Sequence, residues 1–185
     1  MLRRRKMSLN AHRIERGMTE ILRGLGVDLT DRNYLETPER YARALIEMFE
    51  PDDIEWATFT EDYTDFILLK HHKLFSLCPH HMFPVKFYVS LAYVPNGKVL
   101  GLSKLARLLD ECNNGPLLQE KFTRDVVKKL AEVCPDTQGA ACLIQGRHGC
   151  MEMRGVRSEA ELFTYRLSGV FEDTVLAERF FSLCR

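Results

Sequence analysis

The sequence predicts an α+β domain, an antiparallel sheet with two helices on one face, preceded by an N-terminal helical hairpin. Three observations point there. Segments with helical periodicity open the chain, a segment that alternates strictly with period two occupies its middle, and turn clusters separate further helical and apolar stretches. With 185 residues, 45% of them hydrophobic, the chain can bury one principal core. Residues 1–60 are expected as a helical extension and 61–185 as the sheet domain, with the boundary falling in the acidic, aromatic stretch from Glu50 to Asp65.

Ile14, Met18, Ile21, Leu22 and Leu25 recur at helical spacing over residues 10–25, and Gly24 and Gly26 end that run. A second helix is expected from Thr37 as N-cap and Pro38 at the first helical position, with Ala42, Leu45, Ile46 and Phe49 inward. Residues 66–69 and 73–77 are short strand candidates. From Pro84 to Pro95, Val85, Phe87, Val89, Leu91 and Tyr93 alternate with Lys86, Tyr88, Ser90 and Ala92, which predicts a strand ending in the Pro95-Asn96-Gly97 turn. Lys98 to Leu100 is a strand leading through Gly101 to a helix capped by Ser103. Asn113-Asn114-Gly115-Pro116 breaks that helix, and 117–134 forms the next, with Leu118, Phe122, Val126, Leu130 and Val133 as its core stripe. Ala140 to Gln145 is an apolar strand, 151–154 a further strand, 162–171 another, and 173–182 a final helix with Val175, Leu176, Phe180 and Leu183 inward.

Lys plus Arg equals Asp plus Glu at 26 each, so no global field favours nucleic acid, and an anion site must be built locally. The run Arg3-Arg4-Arg5-Lys6 is expected as a solvated end. No apolar run approaches the roughly 18 residues of a membrane span, so no membrane partner and a cytoplasmic location are expected. The six cysteines are irregularly spread, which favours reduced thiols over a disulfide framework.

The densest chemistry lies at Cys78-Pro79-His80-His81 and His148-Gly149-Cys150. Cys78, His81 and Cys150 would supply three soft ligands, leaving a fourth position open on a catalytic zinc, with His80 and His148 beside it to move protons. A structural zinc with Cys142 or Cys112 as fourth ligand is a second reading, and buried cysteines with surface histidines a third. Lys104 and Arg107 sit three apart at a helix start, where free N–H groups also favour an anion, so with Arg40, Arg43 and Arg154 they could hold a polyphosphate. Glu120 is either a guanine-reading carboxylate or a solvated acid at a helix start.

These residues resemble the GTP cyclohydrolase I family. Cys78-Pro79-His80-His81 is similar to its Cys-Glu-His-His motif, 101–107 (GLSKLAR) to G-L-S-K-x-x-R, 118–123 (LQEKFT) to V-Q-E-R-L-T, and 148–155 (HGCMEMRG) to H-x-C-x-x-x-R-G. Residues 36–40 (ETPER) resemble its T-P-x-R helix start, and the similarity runs over about 10–184.

The resemblance implies a tunnelling fold, assembled as a homodecamer with sites between subunits. It implies Zn2+ on Cys78, His81 and Cys150, proton transfer by His80 and His148, and GTP as substrate. Glu120 with Gln119 would bind the guanine, Ser103 would lie by the ribose or the opened ring, and Lys104, Arg107 and Arg154, with Arg40 and Arg43 of a neighbouring subunit, would hold the triphosphate. The implied reaction opens the purine at C8, releases formate and rearranges the ribose to give 7,8-dihydroneopterin triphosphate. A related pterin synthase or deazaguanine-pathway enzyme would share the fold, and a non-catalytic zinc-stabilised assembly is a further alternative. The chain departs from the family at Pro79, where an acidic residue is usual, and over 158–166, where a Ser/Thr-rich tract is replaced by charged and bulky residues.

Overall fold

The computed structural model describes residues 9–50 and 53–185, so the basic run at 3–6 lies outside the described residues. The chain forms two compact units, Met1–Glu50 and Pro51–Arg185. The first is a helical hairpin of α1 (Ala11–Gly24) and α2 (Thr37–Phe49). The Asn10 carboxamide oxygen accepts from the Arg13 N–H at 2.9 Å and satisfies one free donor at the start of α1. Leu22, Ala42 and Phe49 are buried, whereas Ile21 and Leu25, expected on the packed face, are exposed. Glu36, not Thr37, is the N-cap of α2, and its side chain makes no capping bond.

The second unit holds β1 (Thr58–Thr60), β2 (Ile67–Leu77), β3 (Pro84–Val94), β4 (Lys98–Leu100), α3 (Leu102–Cys112), α4 (Gln119–Val133), β5 (Gly139–His148), α5 (Gly149–Glu152), β6 (Leu162–Gly169), a 3-10 turn (Val170–Glu172) and α6 (Thr174–Cys184). Four strands form an antiparallel sheet in the order β2-β3-β5-β6, and β1 pairs with β4 as a separate ladder. Thr58–Thr60 pairs with Lys98–Leu100, so β1 belongs to the second unit.

The period-two pattern of β3 sorts its side chains as alternation requires. Val85, Phe87, Val89, Leu91 and Tyr93 face a core shared with Leu105, Leu108 and Leu109 of α3 and Phe122, Val126 and Leu130 of α4. Each such side chain contributes about 1.5–3 kcal/mol on burial. This is the expected helix pair on one face. Ala92 and Val94 instead meet Phe171 and Phe180, so the 3-10 turn and α6 cover part of the other face.

Other expectations are corrected. The two short strands around residue 70 are one strand, β2, whose register shifts between Leu69 and His72; His71 stands there at φ 54°. Gly101 rather than Ser103 caps α3, and Ser103 lies inside the first turn. Leu118 is exposed and precedes α4, because the core stripe of that helix starts at Phe122. Residues 149–152 form a helical turn where a strand was expected at 151–154. Val175 and Leu183 are exposed on α6, which buries Phe180 and Cys184.

Candidate functional site

Strand register brings the two ligand motifs together. The β2–β3 hairpin pairs Leu77 with Pro84, and β3 in turn pairs Val85 with His148 at the end of β5. The hairpin turn holding Cys78 and His81 therefore meets the segment that starts α5 and carries Cys150. Among the described residues, the ligand atoms of Cys78, His81 and Cys150 all lie within 4.8 Å of one another. Donors bound tetrahedrally to zinc would sit about 3.3–3.8 Å apart. The Cys78 Sγ is already 3.7 Å from the His81 Nδ1. Two thiols and an imidazole at this spacing fit a borderline-soft cation such as zinc.

The turn explains how Pro79 is accommodated. The Cys78 N–H donates to the Phe83 carbonyl and the Met82 N–H to the Cys78 carbonyl, each at 2.9 Å. Neither bond needs an N–H at position 79, so proline removes no donor that the turn uses. Met82 takes φ 56° to close the loop. Cys78 is buried, whereas His80 and His81 are exposed, and the His81 ring stacks on Phe83 with centroids 6.4 Å apart. His80 stands edge-on to His81 at 6.3 Å and is not part of the three-donor cluster.

On the other side, α5 begins against β3. A Cβ on Gly149 would lie 2.8 Å from the Pro84 carbonyl oxygen, so a residue without a side chain allows this approach. Burial raises the Cys150 thiol, the neighbouring Cys78 raises it further, and the Arg154 guanidinium opposes both. A divalent cation would relieve this crowding by holding both sulfurs as thiolates. Neither Cys112 nor Cys142, the expected alternative fourth ligands, belongs to the cluster; Cys142 is fully buried on β5, and burial pushes its thiol far up. The described cysteines are all free thiols.

His148 is half-buried, its ring edge-on to Phe87 at 6.0 Å. Burial lowers its pKa, while the charges of Glu120 and Glu152 pull it back up. Its Nε2 lies 2.9 Å from the Oε1 of Gln119. The Gln119 Nε2 reaches the carbonyls of Ile144 (3.1 Å) and Leu162 (2.9 Å) and the Thr164 hydroxyl (3.1 Å). Thr123 adds a bond to the Gln119 carbonyl at 2.8 Å and a contact to Thr164 at 2.6 Å. Gln119, expected beside Glu120 as a base reader, is thus 4% exposed and joins α4, β5 and β6.

Glu120 is different: it is exposed, and with Thr123, Arg124, Thr164 and Arg166 it lines an open pocket of about 330 Å³. The β6 side of that pocket includes the bulky residues Phe163, Tyr165 and Arg166. Ser103 and Arg107 are exposed and Lys104 is half-buried on α3, and Arg154 is exposed just beyond α5. Arg40 and Arg43 lie on α2 in the first unit, where they pair with Glu36 and Glu39 one turn earlier. Exposed pairs of this kind contribute only about 0.3–0.5 kcal/mol, which leaves both cations easily exchanged to another anion. Sequence reasoning gave no role to Gly146, Thr123 or Thr164, and named Gly149 only within the ligand motif. A glycine inside an apolar strand was the available signal for the first, since such residues mark close approach.

Fold and site together define a class, an α+β domain with a three-donor Cys–His–Cys cluster that could hold a metal ion at the end of its sheet, and a half-buried histidine paired with a buried glutamine beside it. The chain belongs to the GTP cyclohydrolase I family, whose profile it matches over residues 14–185. It is 39% identical to GTP cyclohydrolase 1 of Rhodopirellula baltica over 166 residues, covering 86% of this chain and 72% of that protein. It is 36% identical to GTP cyclohydrolase 1 of Clostridium perfringens, over 95% of this chain and 98% of that one. For GTP cyclohydrolase 1 of Bacillus subtilis the identity is 34%, over 91% and 92%.

Proposed function

We propose that this chain is a zinc-dependent GTP cyclohydrolase I, opening the imidazole ring of GTP by hydrolysis and yielding formate and 7,8-dihydroneopterin triphosphate. The observation that carries this reading is the convergence of Cys78, His81 and Cys150 within 4.8 Å in a chain of this family. Those residues would hold zinc, which when bound supplies Lewis acidity towards water.

The remaining roles fall to the chain's own groups. His148, whose pKa burial lowers, accepts and returns a proton. His80, exposed on the hairpin turn, is the second proton-transfer group. Glu120 accepts from the guanine ring N–H and exocyclic amine in the pocket it lines, where an unpaired carboxylate acceptor discriminates guanine from adenine. Ser103 contacts the ribose or the opened ring, and Lys104, Arg107 and Arg154 hold the triphosphate. Arg40 and Arg43 complete that cradle from a neighbouring copy of the chain. Such a homo-oligomer, a decamer in this reading, accounts for exposed Leu162, Phe163 and Tyr165 on β6, an edge strand of the sheet. Among the described residues no helix is long and apolar enough to cross a membrane, which accords with a cytoplasmic enzyme.

Purified, zinc-loaded protein incubated with GTP should release formate and a product that becomes a fluorescent pterin on oxidation. Absence of both products from metal-loaded, assembled protein would refute the activity.

A further inference from the structure

The orientation of the Gln119 amide is fixed by what surrounds it. Two carbonyl oxygens and a hydroxyl converge on its nitrogen. Turning the amide over would set its oxygen against the Ile144 and Leu162 carbonyls, which carry no proton to share. The Oε1 must therefore face His148, and an oxygen there accepts only if the imidazole nitrogen opposite carries hydrogen. The neutral ring at position 148 is consequently held as the Nε2–H tautomer, with its lone pair on Nδ1.

We propose that Gln119 is a positioning residue for His148: it selects the Nε2–H tautomer and so leaves the lone pair of the neutral ring on Nδ1. The catalytic use of that lone pair rests on the cyclohydrolase reading above; the tautomer does not. Several contacts make the pair rigid. Thr123 and Thr164 brace the Gln119 backbone and amide, the Phe87 ring flanks the imidazole, and Gly146 leaves the space that the amide occupies. A ring free to choose would divide its proton between both nitrogens and present the wrong one to the reaction part of the time. Proton transfer by a positioned group is worth about 10²–10⁴-fold in rate, so even partial loss of tautomer control is measurable. Gln119 touches no substrate in this role, which separates it from a base reader such as Glu120.

The test uses the zinc-loaded full chain with 15N-labelled histidine. Two-bond 1H–15N correlation spectra at about pH 8, where a neutral ring prevails, should give His148 the Nε2–H pattern, its signals assigned by their loss in His148→Ala. Gln119→Met keeps the side-chain shape and removes the acceptor; the pattern should shift towards Nδ1–H or a mixture. Its kcat should fall about 10- to 100-fold, with KM for GTP within about threefold of wild type. Gly146→Ala, which disturbs the amide without altering Gln119, should mimic Gln119→Met if that variant does not fold. An Nδ1–H pattern in the wild type, an unshifted pattern in both Gln119→Met and Gly146→Ala, or a raised KM with unchanged kcat would each overturn the proposal. Should the wild type show no turnover while its tautomer still depends on Gln119, positioning stands and the cyclohydrolase reading fails.

Discussion

The bare α-carbon of Gly146 faces the Oε1 of Gln119 with no room between them for a Cβ. This spacing is what lets α4 lean its first side chain onto β5 and reach His148. Gly146 has no positive φ, so its backbone tolerates other residues and the restriction lies in the space alone. Gly146→Ala should therefore fold but lose about 1–3 kcal/mol, as overpacking of a close contact does. Denaturant titration measures this. A variant as stable as the wild type would show that the amide moves aside at little cost.

Ligand and proton-transfer roles can be separated by metal content. Cys150→Ser replaces a thiolate with a poor zinc ligand and should lose both metal and turnover. His148→Ala, which lies outside the three-donor cluster, should keep a full complement of metal and lose turnover about 10²-fold or more. Metal analysis of desalted protein alongside formate release distinguishes the two. Metal-free His148→Ala, or active Cys150→Ser, would reverse the assignments.

Pro79 sits in a turn whose backbone bonds use the N–H groups of Cys78 and Met82. Its contribution is then rigidity of the unfolded chain, not a folded-state contact. Pro79→Ala should lower stability by about 0.4–1 kcal/mol and leave zinc content unchanged. Loss of zinc would mean that the proline ring itself shapes the ligand turn.

Glu120 lines the pocket between α4 and β6, whereas Gln119 does not open onto it. Glu120→Ala should raise KM for GTP at least 10-fold, because the base's N–H and amine lose a charged acceptor worth about 1.5–3 kcal/mol. The fold should be unaffected, since the side chain is exposed. Steady-state kinetics with unchanged KM would remove Glu120 as the base reader.

The convergence of Cys78, His81 and Cys150 was legible in the sequence for a physical reason. A Cys-x-x-His spacing closes within one turn, so two ligands are local, and only the pairing of β3 with β5 was needed to deliver Cys150. The fold class was legible through the alternation of β3, whose inward residues all proved buried. The burial of Gln119 between α4, β5 and β6 was not legible, because adjacent helical residues point about 100° apart. Sharing a motif with Glu120 says nothing about sharing a pocket with it. The helical turn at 149–152 was missed because its cause is tertiary: Gly149 lets the chain bend against Pro84, a contact no local pattern reveals. Likewise β1 is too short to announce itself and exists through its pairing with β4.

Three buried thiols should make the fold less stable at alkaline pH. Cys142 is completely enclosed, and burial, with Cys112 and Cys184 nearby, holds its pKa far above the ordinary thiol value of about 8.5. Burial raises Cys134 and Cys184 as well. Above pH 8.5 or so the unfolded chain releases these protons while the folded chain keeps them, so the folded state binds more protons and stability falls with rising pH. Below that range the contribution is constant and fully present. Cys142 alone should give a slope of about 1.4 kcal/mol per pH unit, read from denaturation midpoints between about pH 8 and 10.5 under reducing conditions. Cys142→Ala should be somewhat less stable at neutral pH, having lost a buried sulfur, yet show a visibly shallower alkaline slope. An identical slope in that variant would place the alkaline sensitivity on other groups.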